Sequence, residues 1–202
     1  MQIRPAQMAD IPASEALLLH AFPDVFRPVF GAMPQSKQVQ VLAALRQTNQ
    51  QPLAGHLVAV ERDQVVGVLW WKTAGTDRRS YSATWRALAS LSPTAKARLL
   101  VMGVVIFRPR YTPVPHEAYL RGLVVAPAYR RQGVGLALIQ AAEAAARETG
   151  KTMVCALVAA QNHASRSMFQ KLGYTETSNH KRMLRRLLFW RESTIVRIEK
   201  PL

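Results

Sequence analysis

The sequence holds a single cysteine, Cys155, in 202 residues. No internal disulfide can form, so a disulfide-stapled secreted scaffold is excluded, and a reducing cytoplasm is the simplest setting. Acidic residues are also scarce: 12 Asp and Glu stand against 27 Lys and Arg, for a formal net charge of +15. Such a balance favours anionic ligands or partners and disfavours polycationic ones. Long apolar runs are missing. The longest, Leu99 to Phe107, is about half of what a bilayer-spanning helix needs. The opening MQIRPAQMAD has no basic-then-apolar signal order, so no membrane association is expected. The histidines, His20, His56, His116, His163 and His180, are scattered without metal-ligand spacing, and no Cys/His zinc pattern exists. No metal is expected. No aromatic-and-glycine RNA-binding pattern is present either, so nucleic-acid binding rests on net charge alone.

What is there is a chain 49% hydrophobic and 19% charged, the balance of one folded domain with a real core, taken as residues 1–202. Gln2 to Ala6 reads as a short strand. Asp10 caps a helix whose apolar face is Ile11, Leu17, Leu18 and Phe22. Pro23, Pro28 and Pro34 break the next segment into a loop. Ser36 caps a second helix, about Lys37 to Arg46. Leu57–Glu61, the turn Arg62-Asp63-Gln64 and Val65–Lys72 read as a β-hairpin. Residues 74–115 form a long helical insertion: Ser92-Pro93 is a strong helix start, and Tyr81 to Leu91 is a further helical stretch. It is expected to pack on the sheet, with a lid over an acceptor site or a homodimer contact as alternatives. Later elements are a helix from Leu136 to Thr149 stopped by Gly150, a buried strand Met153–Val158, a helix Asn162–Leu172, and strands Tyr174–His180 and Thr194–Glu199. KRMLRRLLFWR, from Lys181, is basic and apolar together.

The most informative stretch is His116 to Gly135, HEAYLRGLVVAPAYRRQGVG. An apolar strand turns at Ala126-Pro127-Ala128 and runs through a basic, glycine-punctuated loop into a helix. The first N–H groups of a helix have no internal partner, and its dipole favours an anion there. Gly133 and Gly135 let phosphate oxygens approach the backbone, and Arg130 and Arg131 add charge. The loop is not a nucleotide P-loop, because Leu136 follows Gly135, and it lacks the third glycine of the dinucleotide fingerprint.

Arg130-x-x-Gly133-x-Gly135 after a strand resembles the acetyl-CoA pyrophosphate loop of the GNAT superfamily of N-acetyltransferases. Asn162-x-x-Ser165-x-x-x-Phe169-x-x-x-Gly173-Tyr174 resembles the family's second motif. The Glu-Ala, apolar run, Pro and Tyr before the loop is similar to the protein N-terminal alanine acetyltransferase type. The resemblance implies an α/β (α+β) GNAT fold: one mixed, splayed sheet of about six to seven strands flanked by helices, with residues 74–115 inserted between strands 3 and 4. It implies acetyl-CoA as co-substrate. The backbone of Leu123, Val124 and Val125 would bind the pantetheine, and Arg130, Arg131, Gln132, Gly133, Val134 and Gly135 would form the pyrophosphate loop. Asn162 and Phe169 would line the CoA arm.

Attack of an amine on a thioester needs a base, an oxyanion donor and a proton for the thiolate. Glu117 is the expected base. It is the sole acidic residue between Asp77 and Glu143, and it lies eight residues before Val125, roughly 26 Å at strand rise, which suits the reach of pantetheine. The N–H near Val124 is the expected oxyanion donor. The family's tyrosine acid falls on Phe169, which has no hydroxyl, so Tyr129 is the substitute, with Tyr119 or solvent as alternatives. The acceptor is expected to be a primary amine on a small molecule, an amino acid or a protein N-terminus. A non-catalytic CoA-binding module with a basic nucleic-acid or protein surface is the alternative, and a longer acyl donor is a third reading.

Overall fold

The computed structural model describes residues 1–49, 51, 53–75, 88–89, 91–97, 111–181 and 194–202. Seven strands form one sheet: β1 (Gln2–Pro5), β2 (His56–Glu61), β3 (Gln64–Lys72), β4 (Glu117–Val125), β5 (Met153–Ala159), β6 (Thr175–Lys181) and β7 (Thr194–Pro201), in the order β1-β2-β3-β4-β5-β7-β6. Every neighbouring pair is antiparallel except β4 and β5. That parallel pair requires a crossover, and a helix supplies it. The helices are α1 (Ile11–Ala21), α2 (Pro23–Phe30), α3 (Gln35–Gln47), α4 (Val134–Glu148) and α5 (His163–Lys171).

Two apolar layers cover the sheet. Under α4, Val134, Leu138, Ile139, Ala142 and Ala146 meet Leu69, Ala118, Leu120, Val154 and Ile198 of the strands. On the opposite face, Leu17, Leu18 and Ala21 of α1 pack against Val58, Val68, Trp70 and Val124. Beyond them Leu19, Val29, Phe30, Val41 and Leu42 join Leu88 and Leu91. The β2–β3 hairpin turns on Arg62 and Asp63, both with positive φ (48° and 61°), the two-residue turn that matches strand twist.

Three sequence expectations about local structure change. The proline-rich stretch is helical from Pro23 to Phe30. Pro23 stands at the first helical position, where no N–H is needed, Pro28 is exposed, and burial of Val29 and Phe30 outweighs its cost. Asp10 makes no side-chain cap to α1. Its carboxylate instead accepts from the Gln7 N–H at 2.7 Å and from Arg4 at 2.7 and 3.0 Å. Ser36 is not the cap of α3, because that helix begins one residue earlier, after Pro34. In the insertion, residues 93–97 are helical and Ser92 Oγ accepts from the Ala95 N–H at 3.3 Å, as the Ser-Pro pair predicts. The helix expected over Tyr81–Leu91 and the basic stretch after Lys181 lie largely outside the described residues.

Candidate active site

The site begins where β4 and β5 part. Their parallel pairing runs from Glu117↔Met153 to Leu120↔Ala156 and ends there. Beyond it β5 stays paired with β7, and β4 continues to Val125 paired with β3. The cause is a bulge in β4: Val68↔Val124 gives way to Trp70↔Arg121, so the β4 residues between these pairs outnumber those of β3. Gly122 sits in the bulge at φ +64°, and a Cβ there would lie 2.3 Å from the Trp70 ring. Only glycine lets the indole lie over the strand at this point.

Strand alternation then decides which amides face the opening. The Ala126 N–H donates to the Val66 carbonyl on the β3 side at 2.8 Å. Two residues back, Val124 turns its N–H the same way, so the N–H groups of Leu123 and Val125 face the splayed side. The Val125 carbonyl is on that side too, where it accepts from Arg130 Nε at 3.1 Å. The N–H groups near Val124 that face the opening are therefore those of Leu123 and Val125. The Val124 side chain is buried against Trp70 and Val68.

The loop carries the chain from Val125 through a 3-10 turn, Pro127–Tyr129, to α4. Gly133 caps α4 at φ +81°, and a Cβ there would meet nothing within 4 Å. Glycine is there for its left-handed backbone. Arg131 shares that conformation (φ +61°). The helix provides no partner for the N–H groups of Val134, Gly135 and Leu136, whereas that of Ala137 bonds to the Gly133 carbonyl at 2.9 Å. Open backbone amides, a helix dipole and the Arg130 and Arg131 charges fit a pyrophosphate. Two loop residues also make contacts within the fold. A Cβ at Gly135 would lie 3.3 Å from Met168 Sδ, so Gly135 sets the approach of α4 to α5 as well as to an anion. Gln132 Nε2 donates to the Ala128 carbonyl at 2.8 Å, bracing the loop from within. The Val134 side chain belongs to the core, leaving its backbone to the site.

Asn162 caps α5: its Oδ1 accepts from the Ser165 N–H at 3.1 Å, which leaves its Nδ2 as the donor for a CoA arm. Phe169 is 4% exposed and meets the Tyr174 ring edge-on at 4.9 Å. It is a core residue, and the expected direct contact with CoA gives way to packing behind the site.

At the other end of β4, Glu117 is 4% exposed. Its Oε1 accepts from Arg197 at 2.6 Å, and its Oε2 accepts from the Val114 N–H at 3.1 Å and from the Tyr111 hydroxyl. Arg197 also donates to the Tyr111 oxygen, and to Glu199 at 2.7 Å. Burial alone would raise the Glu117 pKa. The Tyr111, Arg197 and Val114 donors and the Arg197 charge outweigh it, and the carboxyl is held below its ordinary value. Burial and the Glu117 hydrogen bond push the Tyr111 hydroxyl up to about 12, against the opposing pull of Arg197, so it stays a neutral donor. Glu117 is thus clamped by three donors. Tyr111 and Arg197 were not singled out from the sequence. They stand 6 and 80 residues from Glu117, and no local pattern links three residues so spaced.

Tyr129 is not brought to Glu117. It lies beyond the opposite end of β4, partly buried against the α4 core. Tyr119 points to the Glu117 side, its ring 5.3 Å from that of Tyr111 and with Lys72 Nζ 5.8 Å from its centroid. His116 is exposed, and its carbonyl accepts from Thr152 and Met153. Cys155 is buried on β5, and burial pushes its thiol up to about 12, which removes it as a nucleophile. Among the described residues no group of three His, Cys, Asp or Glu is placed to hold a metal, and no helix is long and apolar enough to cross a membrane.

A parallel β4–α4–β5 unit that splays over an amide-lined helix start defines a class, and comparison with known proteins supplies its family. The Acetyltransferase (GNAT) family matches residues 19–174. The chain belongs to that family. An aminoglycoside N(6')-acetyltransferase type 1 from Acinetobacter genomosp. 13 is 35% identical over 98 residues, 48% of this chain and 61% of that protein. The chain spans less than two thirds of the curated relatives it matches. Among solved structures, the ribosomal-protein-alanine N-acetyltransferase of Brucella melitensis aligns over 100% of both chains with TM-score 0.59 and 21% identity. The yncA protein of Salmonella typhimurium, solved with its cofactor acetyl-CoA, aligns over 100% of this chain and 94% of its own with TM-score 0.58 and 20% identity. Both share the fold.

Proposed function

We propose that this chain is an acetyl-CoA-dependent N-acetyltransferase that acetylates a primary amine on a small molecule, an amino acid or a protein N-terminus. The observation that carries this is the open edge of β4, which offers the Leu123 and Val125 amides and leads directly to the amide-lined start of α4. An extended ligand can add to that edge as a strand would, with its anionic end at the helix. Acetyl-CoA, when bound, supplies the thioester. Glu117 takes the proton of the attacking amine, directly or through water. The matched aminoglycoside enzyme supports amine acetylation. The net charge of +15 weighs against a polycationic acceptor and for one carrying a single amine. The buried single cysteine suits a reducing, cytoplasmic setting.

The test is thiol release from acetyl-CoA over a panel of amines and peptides, comparing wild type with Glu117→Gln. Turnover on one acceptor class, lost in the variant with CoA binding intact, supports the reading. Full turnover in the variant removes Glu117 as base. Phe169, which has no hydroxyl where the family's acid is expected, favours one rival, a non-catalytic CoA-binding module. CoA binding without turnover, together with salt-sensitive RNA binding, would support that rival.

A further inference from the structure

We propose that Tyr111 and Arg197 are the positioning residues of this acetyl-transfer site, clamping Glu117 across three strands so that its remaining acceptor position faces the incoming amine. The inference rests on the proposed function and deepens it. Glu117 is on β4 and Arg197 on β7, with β5 between them. Arg197 pairs with Leu157, one residue past the last β4–β5 pair, so its guanidinium reaches back from the level of the splay. An ionised carboxylate has about four acceptor positions. Tyr111 and the Val114 N–H occupy both on Oε2, and Arg197 occupies one on Oε1. The group is oriented by donors on three sides, with one position for a proton.

The same contacts settle its protonation state. Tyr111 donates to Glu117 and accepts from Arg197, which makes the hydroxyl a bridge between the carboxylate and the guanidinium. Other titratable groups facing this cluster are Glu199 beside Arg197, Cys155 on β5, Tyr119 on β4, and Lys72 over the Tyr119 ring. Glu199 shares the Arg197 charge, and the raised Cys155 thiol adds none. In the reaction the N–C bond forms and the C–S bond breaks. One proton leaves the nitrogen for Glu117, and one reaches the sulfur from Glu117 or solvent, so the glutamate must start ionised. Arg197 and Tyr111 enforce that, and neither touches a reacting atom.

The test uses the full chain labelled with carboxyl-carbon-enriched glutamate, and follows the Glu117 resonance by NMR as pH varies, assigned by its absence in Glu117→Gln. In wild type its midpoint lies below the ordinary glutamate range. Tyr111→Phe keeps the ring and removes the donor, and moves the midpoint up by roughly a pH unit. Arg197→Lys keeps the charge but not the fork, and moves it in the same direction. With the acceptor found in the panel, the acid limb of kcat/KM moves up by the same amount in Tyr111→Phe, while the acetyl-CoA KM stays within about twofold. A Glu117 midpoint unmoved in both variants overturns the clamp. So does an unmoved acid limb when Glu117→Gln abolishes turnover. Full turnover in Glu117→Gln instead overturns the base assignment itself, a distinct failure.

Discussion

From Arg121 to Val125, β4 offers its backbone to the site; from Glu117 to Leu120 it offers side chains held by distant partners. The first half is bounded by one neighbour, β3, and by a loop that follows at once in sequence. The second is bounded by β5 and closed by Tyr111 and Arg197. Backbone amides generalise: any ligand with an extended arm and an anionic end can use them. A buried carboxylate with three donors is committed to one chemistry. Within one strand, the part proposed to bind is built from local geometry and the part proposed to react is built from tertiary contacts. The hinge between them is Gly122.

Substituting that hinge should therefore cost most. Gly122→Val places a β-branched residue at φ +64° and drives its Cβ into the Trp70 ring. Steric strain and overpacking together should lower stability by about 3 kcal/mol or more. Urea unfolding measures this, and a cost under about 1 kcal/mol would show that the bulge relaxes at will and does not set the splay.

Next comes the buried pair. Arg197→Met leaves Glu117 enclosed without its cation, and should cost about 3 kcal/mol near neutral pH. The sign of the pH dependence follows from the lowered Glu117 pKa. A carboxyl whose folded pKa is depressed stabilises the protein above its unfolded pKa, and loses that contribution as pH falls through the folded value. The gap between wild type and Arg197→Met should therefore close below about pH 4. A gap of the same size at neutral and acid pH would make Arg197 a packing residue and dissolve the contrast between the two halves of β4.

This contrast also explains what could be read from the sequence. The loop residues Arg130 to Gly135 were legible because a strand, a glycine-punctuated turn and a helix start are contiguous, and amide direction follows from local backbone. Glu117 was visible by its isolation in a stretch poor in acid. Its partners were not. Arg197 joins it only because β7 inserts beside β5, ahead of β6, in the sheet. Which amides near Val124 face the opening was not legible, because the bulge register, and hence the side each amide faces, is fixed by pairing with Val68 and Val66. Pro28 was read as a breaker because the burial of Val29 and Phe30 is tertiary.

On the backbone side of the comparison, effects should be smaller and fall on binding. Gly133→Ala strains the left-handed cap by about 1 kcal/mol. Its Cβ meets no protein atom, so calorimetry should show weakened acetyl-CoA binding with modest loss of stability. Asn162→Ala removes the α5 cap and should cost about 1 kcal/mol. If Gly133→Ala binds acetyl-CoA as wild type does, the helix start is an ordinary turn and not the anion site.

The smallest effect should come from Tyr129→Phe. Tyr129 lies beyond Val125, at the loop end of a strand whose far end is Glu117. Eight strand steps separate the two ends of β4, roughly 26 Å, so a group that serves the loop does not also serve the carboxylate. Its ring packs on the α4 core, and Phe keeps that packing. We expect kcat within about twofold of wild type, since loss of a true general acid costs about a hundredfold or more. Acetyl-CoA affinity is the parameter to watch, because the hydroxyl stands nearer the loop than the chemistry. A hundredfold fall in kcat at unchanged acetyl-CoA binding would mean that the thiol lies at the loop end. The arm would then run along β4 in the opposite sense, with Glu117 far from the reacting bond.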